Sequence, residues 1–272
     1  MNLKQEDART LSALVSAEET HPELKPLLTF YGAIYRAQFE AKAGLSERDI
    51  EIMPQPVCRE RLESGEIQLT LDQLHVDSSR FVKLVRQMAC IIAEDSPGWE
   101  LPNQPLDTSA LSGMAHNWFQ SGEPVIGNGP PTTLVTLAVR LALSSYLQYA
   151  AESVLPLVEQ CYWQRNVCLI CGGKPGLAVL SQEDGSRSLF CSRCDGLWSY
   201  RRITCPFCDN SEGIAYYPSE DQVYRLYVCP ACKRYLKTID LRRAGRKPAL
   251  PVERILTVGL DLAAQQAGFL YC

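Results

Sequence analysis

Apolar residues recur at a helical period through the first 160 positions, and after that the runs shorten to strand length. Leu3, Leu11, Leu14 and Val15 fit a short amphipathic helix. From Glu23 to Ala43 the apolar positions are Leu24, Leu27, Leu28, Tyr31, Ile34, Tyr35 and Phe39. Pro22 suits the first turn of that helix and Gly44 its end. Residues 46–75 contain Pro54, Pro56 and Gly65 and read as a loop with short pieces of structure. Ser78 or Ser79 is expected to cap a helix running through Ala93, with Phe81, Val82, Leu84, Val85, Met88, Ile91 and Ile92 apolar. Ser96-Pro-Gly ends it. A further helix is expected over 108–120, then a break at Gly127-Asn-Gly-Pro-Pro, then a long helix over about 132–164 kinked at Pro156.

The second part alternates strand-like runs with turns. Leu177-Ala-Val-Leu and Ser188-Leu-Phe flank Gln-Glu-Asp-Gly-Ser. Gly213-Ile-Ala-Tyr-Tyr and Gln222-Val-Tyr-Arg-Leu-Tyr-Val flank Pro-Ser-Glu-Asp. Each pair predicts a β-hairpin. A last helical pattern covers about 251–267, with Val252, Ile255, Leu256, Leu260 and Leu262 apolar and Gly268 at its end. The expected class is α+β. A helical domain (1–165) precedes two tandem ribbon-like β units (166–203 and 204–247), and a C-terminal helix (248–272) packs on the rest of the chain.

Composition narrows the class. A chain of 272 residues, 46% hydrophobic and 21% charged, is an ordinary globular balance that excludes wholesale disorder. The N-terminus is polar and carries both charge signs, so no secretory signal is expected. The most apolar stretch, 132–158, is interrupted by Arg140 and Glu152. Its uninterrupted part is shorter than the roughly 20 apolar residues a bilayer needs, so it reads as a buried helix with no membrane insertion. A cytoplasmic protein with reduced thiols is the expectation. The charge is unevenly placed: 12 basic and 21 acidic residues lie in 1–164, against 14 and 8 in 165–250.

Cysteine content changes at the same boundary. Eight of the twelve cysteines form four Cys-x-x-Cys pairs: Cys168/Cys171, Cys191/Cys194, Cys205/Cys208 and Cys229/Cys232. The first and third pairs are 37 residues apart and the second and fourth 38, so the arrangement is an internal repeat of pair, hairpin, pair. Two intervening residues let a tight turn point both sulfurs at one cation. Gly172-Gly173 and Asp209-Asn210 supply residues tolerant of positive φ after the second cysteine. Two such turns flanking a hairpin close a tetrahedral tetrathiolate site. The expected ligand sets are Cys168, Cys171, Cys191 and Cys194 for one ion, and Cys205, Cys208, Cys229 and Cys232 for a second. Redox-active dithiols and iron–sulfur clusters fit the spacing less well, because no βαβ pattern accompanies it and neither ferredoxin spacing is present.

No other constellation carries chemistry. Cys90 and Cys161 lie in apolar helical patterns, and neither they nor Cys58 and Cys272 are assigned a role. His21, His75 and His116 are isolated. Gly127-x-Gly129 precedes two prolines and is a turn, not a phosphate loop. The basic residues of 165–250, net +6, are largely offset once eight thiolates and two divalent ions are counted, which weakens the case for a nucleic-acid surface.

Four such pairs in two ribbon-like halves behind a helical part of some 165 residues resemble the formate dehydrogenase accessory protein family, FdhE. The Cys-Pro-Phe-Cys and Cys-Pro-Ala-Cys forms, the Cys-Gly-Gly after the first pair and the closing helix carry the resemblance. It implies a cytoplasmic assembly factor and not an enzyme. Its partner would be the catalytic subunit of respiratory formate dehydrogenase, a molybdopterin protein with selenocysteine or cysteine, bound before export. It also implies two metal ions per chain, rubredoxin-like iron first and zinc as the alternative, since both accept four thiolates. A rubredoxin-like redox protein and a nucleic-acid-binding ribbon protein stay open as alternatives, and the oligomeric state is open.

Overall fold

The computed structural model describes residues 3–96, 98–99, 106–121 and 130–271, with backbone alone at 130–132 and 161. The expected break at 127–131 and turn at Gly127-x-Gly129 fall wholly or largely outside these residues, as do Pro97, Cys272 and the side chain of Cys161. The chain divides into two compact units, one of residues 1–52 and 69–150, the other of 53–68 and 151–272.

The first unit is helical. Its elements are α1 (Gln5–Thr20), α2 (Lys25–Ala43), α4 (Ser78–Asp95), α5 (Thr108–Ser121) and most of α6 (Pro130–Val154), while α3 (Gln55–Glu63) belongs to the second unit. The apolar stripe of α2 buries Leu28 and Ile34 completely, which contributes about 1.5–3 kcal/mol per side chain. Buried polar groups are matched across elements. Lys42 of α2 meets Asp7 of α1 at 2.6 Å, and Gln38 Nε2 donates to the Leu141 carbonyl at 2.7 Å. Phe81 of α4 stands edge-on to Tyr146 of α6, with centroids 6.0 Å apart.

Several expectations change here. Val15 is exposed, so it is not part of the apolar face of α1. The α4 cap is Asp77, whose carboxylate accepts from the Arg80 N–H at 2.9 Å and from Ser79 Oγ at 2.7 Å; neither serine is the cap. The stretch 46–75 contains α3, which Pro54 and Pro56 open instead of breaking, because a first helical turn does not need the proline N–H. The long helix stops at Val154 and does not reach 164; short 3₁₀ turns follow at Leu155–Leu157 and Gln160–Tyr162. Pro156 ends the α-helix there by withholding a donor. The stretch Thr133–Leu157 is in fact long and apolar enough to cross a bilayer. However, 72% of its apolar window is buried within the protein, as in a core helix.

The second unit is built on one six-stranded sheet with the order β3-β2-β1-β6-β5-β4. The strands are β1 (Pro175–Leu180), β2 (Arg187–Cys191), β3 (Leu197–Ser199), β4 (Ala215–Pro218), β5 (Tyr224–Val228) and β6 (Tyr235–Asp240). Both predicted hairpins are present as β1–β2 and β4–β5, and each is extended by a third antiparallel strand, β3 or β6. The two halves are then fused by parallel pairing of β1 with β6, with Ala178 opposite Thr238 and Leu180 opposite Asp240. The repeats therefore share one sheet.

After β6 come α7 (Leu241–Ala244), α8 (Leu250–Leu256) and α9 (Val258–Gln266). The closing helical pattern is thus two helices, broken at Thr257, whose hydroxyl returns to the Glu253 carbonyl at 2.7 Å. Ala264 of α9, with Leu260 and Phe269, packs on Leu226, Val228 and Tyr235 of the sheet. Glu253 of α8 is buried and accepts from Tyr224 Oη at 2.6 Å and Arg246 Nη1 at 2.5 Å. Gly268 ends α9 with φ +82°, a conformation that favours glycine.

Candidate metal centres

Three of the Cys-x-x-Cys turns share one backbone bond. The N–H of the residue after the second cysteine returns to the carbonyl of the first, as in Gly172 to Cys168 at 2.9 Å, Asp209 to Cys205 at 3.0 Å and Lys233 to Cys229 at 3.0 Å. The residue after the second cysteine lies in the left-handed region in all four turns: Gly172 (+68°), Asp195 (+57°), Asp209 (+57°) and Lys233 (+56°). The sequence pointed to this position in the first and third turns only. Asp and Lys are less obvious occupants of it than Gly. Gly173 answers a different need: a Cβ there would stand 2.9 Å from Cys191 Sγ.

The turns meet in two groups. Cys168, Cys171, Cys191 and Cys194 have all their sulfurs within 4.8 Å of one another, and so do Cys205, Cys208, Cys229 and Cys232. This is the sequential sharing of the repeat, not an interleaved one. Across the first group, Cys168–Cys194 and Cys171–Cys191 are each 3.5 Å apart. Across the second, Cys205–Cys232 and Cys208–Cys229 are 3.7 and 3.6 Å apart. A disulfide would need about 2.05 Å. Four sulfurs at about 2.3 Å from one tetrahedral cation stand about 3.8 Å apart, so both groups fit a bound ion. Backbone N–H groups point at the sulfurs: Arg193 to Cys191 and Phe207 to Cys205, each at 3.4 Å.

The thiols within a group hold their protons unequally. In the first group, burial works against ionisation at Cys191, yet hydrogen bonds from Cys168, Cys171 and Cys194 outweigh it and hold that thiol well below its ordinary range. Cys168, by burial, and Cys194, by its bonds to the other three, are pushed well up. In the second group, burial of Cys229 is outweighed by the N–H groups of Cys232 and Ala231 and by neighbouring thiols, and its pKa falls to about 7. Burial pushes Cys205 and Cys232 up. Cys191 and Cys229 are therefore the readier thiolates, and an ion must displace protons held by Cys168, Cys194, Cys205 and Cys232.

The two groups differ in their surroundings. In the first, all four cysteines are at most 2% exposed. It is wrapped by parts outside the repeat: Ile67 lies 3.5 Å from a Cβ position on Gly172, and Leu155 and Ala151 cover Gly196. Arg254 of α8 donates to Asp195 at 2.8 Å. In the second group Cys208 is exposed and Cys232 half-buried. From outside its own repeat, the Leu270 N–H donates to the Lys233 carbonyl at 2.7 Å, and Asn166, Tyr200 and Arg201 donate to the Asp209 carboxylate. Cys58 and Cys90 stand outside both groups, Cys58 with its sulfur on the Met53 carbonyl at 3.3 Å. His21, His75 and His116 join no ligand group among the described residues.

No protein-family model matches the chain. It is 28% identical to the protein FdhE homolog of Aquifex aeolicus, in an alignment covering 99% of this chain and 95% of that one. It is 32% identical to the protein FdhE homolog of Pseudomonas aeruginosa over 143 residues, about half of each chain. The crystal structure of the FdhE protein from Pseudomonas aeruginosa has the same fold, with a TM-score of 0.60 over 97% of this chain and 93% of that one at 23% identity. The Aquifex likeness runs through the helical residues as well, where no cysteine motif could produce it, so the chain is similar to an FdhE homolog along its whole length.

Proposed function

We propose that this protein is a cytoplasmic accessory factor that binds the catalytic subunit of respiratory formate dehydrogenase and is needed for its maturation, and that it is not itself an enzyme. Full-length similarity to an FdhE homolog and a shared fold with an FdhE protein support the reading. The observation that carries it is the pair of closed four-cysteine groups on one sheet. A closed tetrathiolate leaves no open coordination position for a hydrolytic water, so it suits a structural or electron-transferring role. In this reading Cys168, Cys171, Cys191 and Cys194 hold one ion and Cys205, Cys208, Cys229 and Cys232 a second, iron first and zinc as the alternative. The ribbon parts, 166–203 and 204–247, are the working parts, and the ions hold their turns together.

Affinity capture from cells making respiratory formate dehydrogenase tests the partner; recovery of its catalytic subunit is expected. Loss of the gene should leave the dehydrogenase inactive with its subunits still made. Full dehydrogenase activity supported by a variant lacking both four-cysteine groups would falsify the reading. A redox role is favoured at one place only, the second group, because Cys208 is exposed and an electron could pass there by close approach. Reversible redox titration of iron bound in that group, with loss of function on zinc replacement, would establish it.

A further inference from the structure

Beside β2 and β3 the second unit carries a cleft of about 240 Å³, lined among others by Gln160, Ser186, Arg187, Ser199, Arg201 and Arg202. No aspartate or glutamate lines it. Three guanidinium groups share its wall with the hydroxyls of Ser186, Ser199 and Tyr200 and with amide side chains, all of which can donate a hydrogen bond.

The charges of the three arginines are differently placed. Arg201 is matched by Asp209 at 3.0 Å. Arg187 is 3% exposed and meets no carboxylate among the described residues. Its Nη2 donates to the carbonyls of Arg201 and Thr204, its guanidinium lies over the Tyr200 ring at 5.4 Å, and its Nε is buried without a hydrogen-bond partner. Burial pulls the pKa of Arg187 down to about 10, so the charge persists at neutral pH at a desolvation cost. The sulfur of Cys205 acts on Arg187 as a negative charge, and with no carboxylate beside it the guanidinium is left with capacity for a further anion. Arg202 is exposed and makes no ion pair among the described residues. One of its terminal nitrogens, and one of Arg242, reach the backbone at Gly185, at 3.4 and 2.7 Å from a Cβ position there.

We propose that this cleft binds an oxyanion group, phosphoryl or carboxylate, held by Arg187 and Arg202 with the Ser186 and Ser199 hydroxyls as neutral donors. Guanidinium forks match such groups with paired, charge-assisted bonds. The volume exceeds a bare phosphate and fits a group the size of a diphosphate or an acidic side chain with its neighbours. No cysteine lines the cleft, although Arg187 feels the charge of Cys205 and Arg201 is paired with Asp209 beside Cys208; the proposal does not depend on the function proposed above.

The test is isothermal titration of the metal-loaded full-length protein at constant ionic strength with inorganic phosphate, pyrophosphate and a tetraglutamate peptide. One-site binding of at least one of them is expected. Preference for pyrophosphate identifies a phosphoryl source, and preference for the peptide identifies a carboxylate on a protein partner. Arg202→Gln, a change at an exposed residue, should weaken binding about tenfold or more, the weight of one charge-assisted bond. Arg187→Lys keeps the charge but loses the fork and should weaken it as well. Arg243→Gln, at an exposed arginine outside the lining, should leave binding unchanged. Absence of binding for all three probes at up to about 10 mM, or equal affinity in Arg202→Gln and the native protein, overturns the proposal and leaves Arg187 as a pin for the chain between β3 and Cys205.

Discussion

Cys168→Ser and Cys208→Ser are one chemical change in two different surroundings. At 168 the substituted residue lies among sulfurs that are at most 2% exposed, covered by Ile67, Leu155 and the α8 arginine. Water has no route to complete a three-sulfur ion there, and three buried thiols are left around the vacated centre. A structural ion of this kind contributes about 10–16 kcal/mol, against a typical domain margin of about 5–15 kcal/mol. Losing it should release the turns at Cys168–Cys171 and Cys191–Cys194 and lower the melting temperature sharply. At 208 the sulfur already faces solvent. Water or the serine hydroxyl can take the fourth position while Cys205, Cys229 and Cys232 stay in place. Even a thousandfold weakening costs about 4 kcal/mol, which leaves most of the ion's affinity. Elemental analysis of anaerobically prepared proteins, with melting followed by circular dichroism, reads the difference. The expected result is about one ion per chain for Cys168→Ser and close to two for Cys208→Ser. The reverse order, or equal loss in both, would refute the link between burial of the group and retention of its ion.

Accessibility should also order the reactivity of the metal-free thiols: iodoacetamide footprinting by mass spectrometry is expected to label Cys208 first, then Cys232, and the first group last. Asp240 is buried between Arg225 at 2.5 Å and Arg242 at 2.7 Å, so Asp240→Asn should lower stability in denaturant unfolding by about 1.5–3 kcal/mol, the weight of a charge-assisted hydrogen bond, since both arginines keep access to water. The Arg242 hydrogen bond, with Arg225 beside it, holds the Asp240 pKa below its usual value. Its contribution is therefore present above about pH 4 and fades as the pH falls through the lowered value; a native protein whose acid sensitivity matches that of Asp240→Asn contradicts this. Gly173→Ala places a methyl group 2.9 Å from Cys191 Sγ and should loosen the first group, seen as faster ion loss to a chelator with the second group unchanged.

The helices were legible because their burial follows their period, and the hairpins because turn residues separate β-rich runs. What the sequence concealed has specific causes. Strand β6, Tyr235–Asp240, is buried at every position yet contains Lys237, Thr238 and Asp240. Lys237 finds its partners far along the chain, donating to Asp261 at 2.6 Å and to the Arg254 carbonyl at 2.9 Å, and Asp240 is held by Arg225 from β5 and by Arg242 two residues on. A period-2 reading cannot see partners 17 to 24 residues away, so the sequence predicts no strand here. Strand β3 is three residues long and leaves almost no pattern. Strand β1 did carry a clue: its unbroken apolar run Leu177-Ala-Val-Leu suits a strand covered on both faces, which is where its parallel pairing with β6 puts it.

For the cysteine groups, sequence spacing was sufficient to name all eight members, because a two-residue turn brings two sulfurs together wherever the turn is placed. It could not rank the groups, because the repeat extends to the ligands and not to what covers them. Cys171 and Cys208 occupy equivalent positions, and one is closed in while the other is open. The difference comes from Ile67, Ala151, Leu155 and Arg254, four residues that belong to no repeat and that are gathered around the first group only when the second unit folds. Two equal motifs thus acquire unequal chemistry from unequal neighbours. A centre sealed from water is suited to holding the sheet together, and one with a sulfur at the surface is suited to meeting an ion, an electron or a partner.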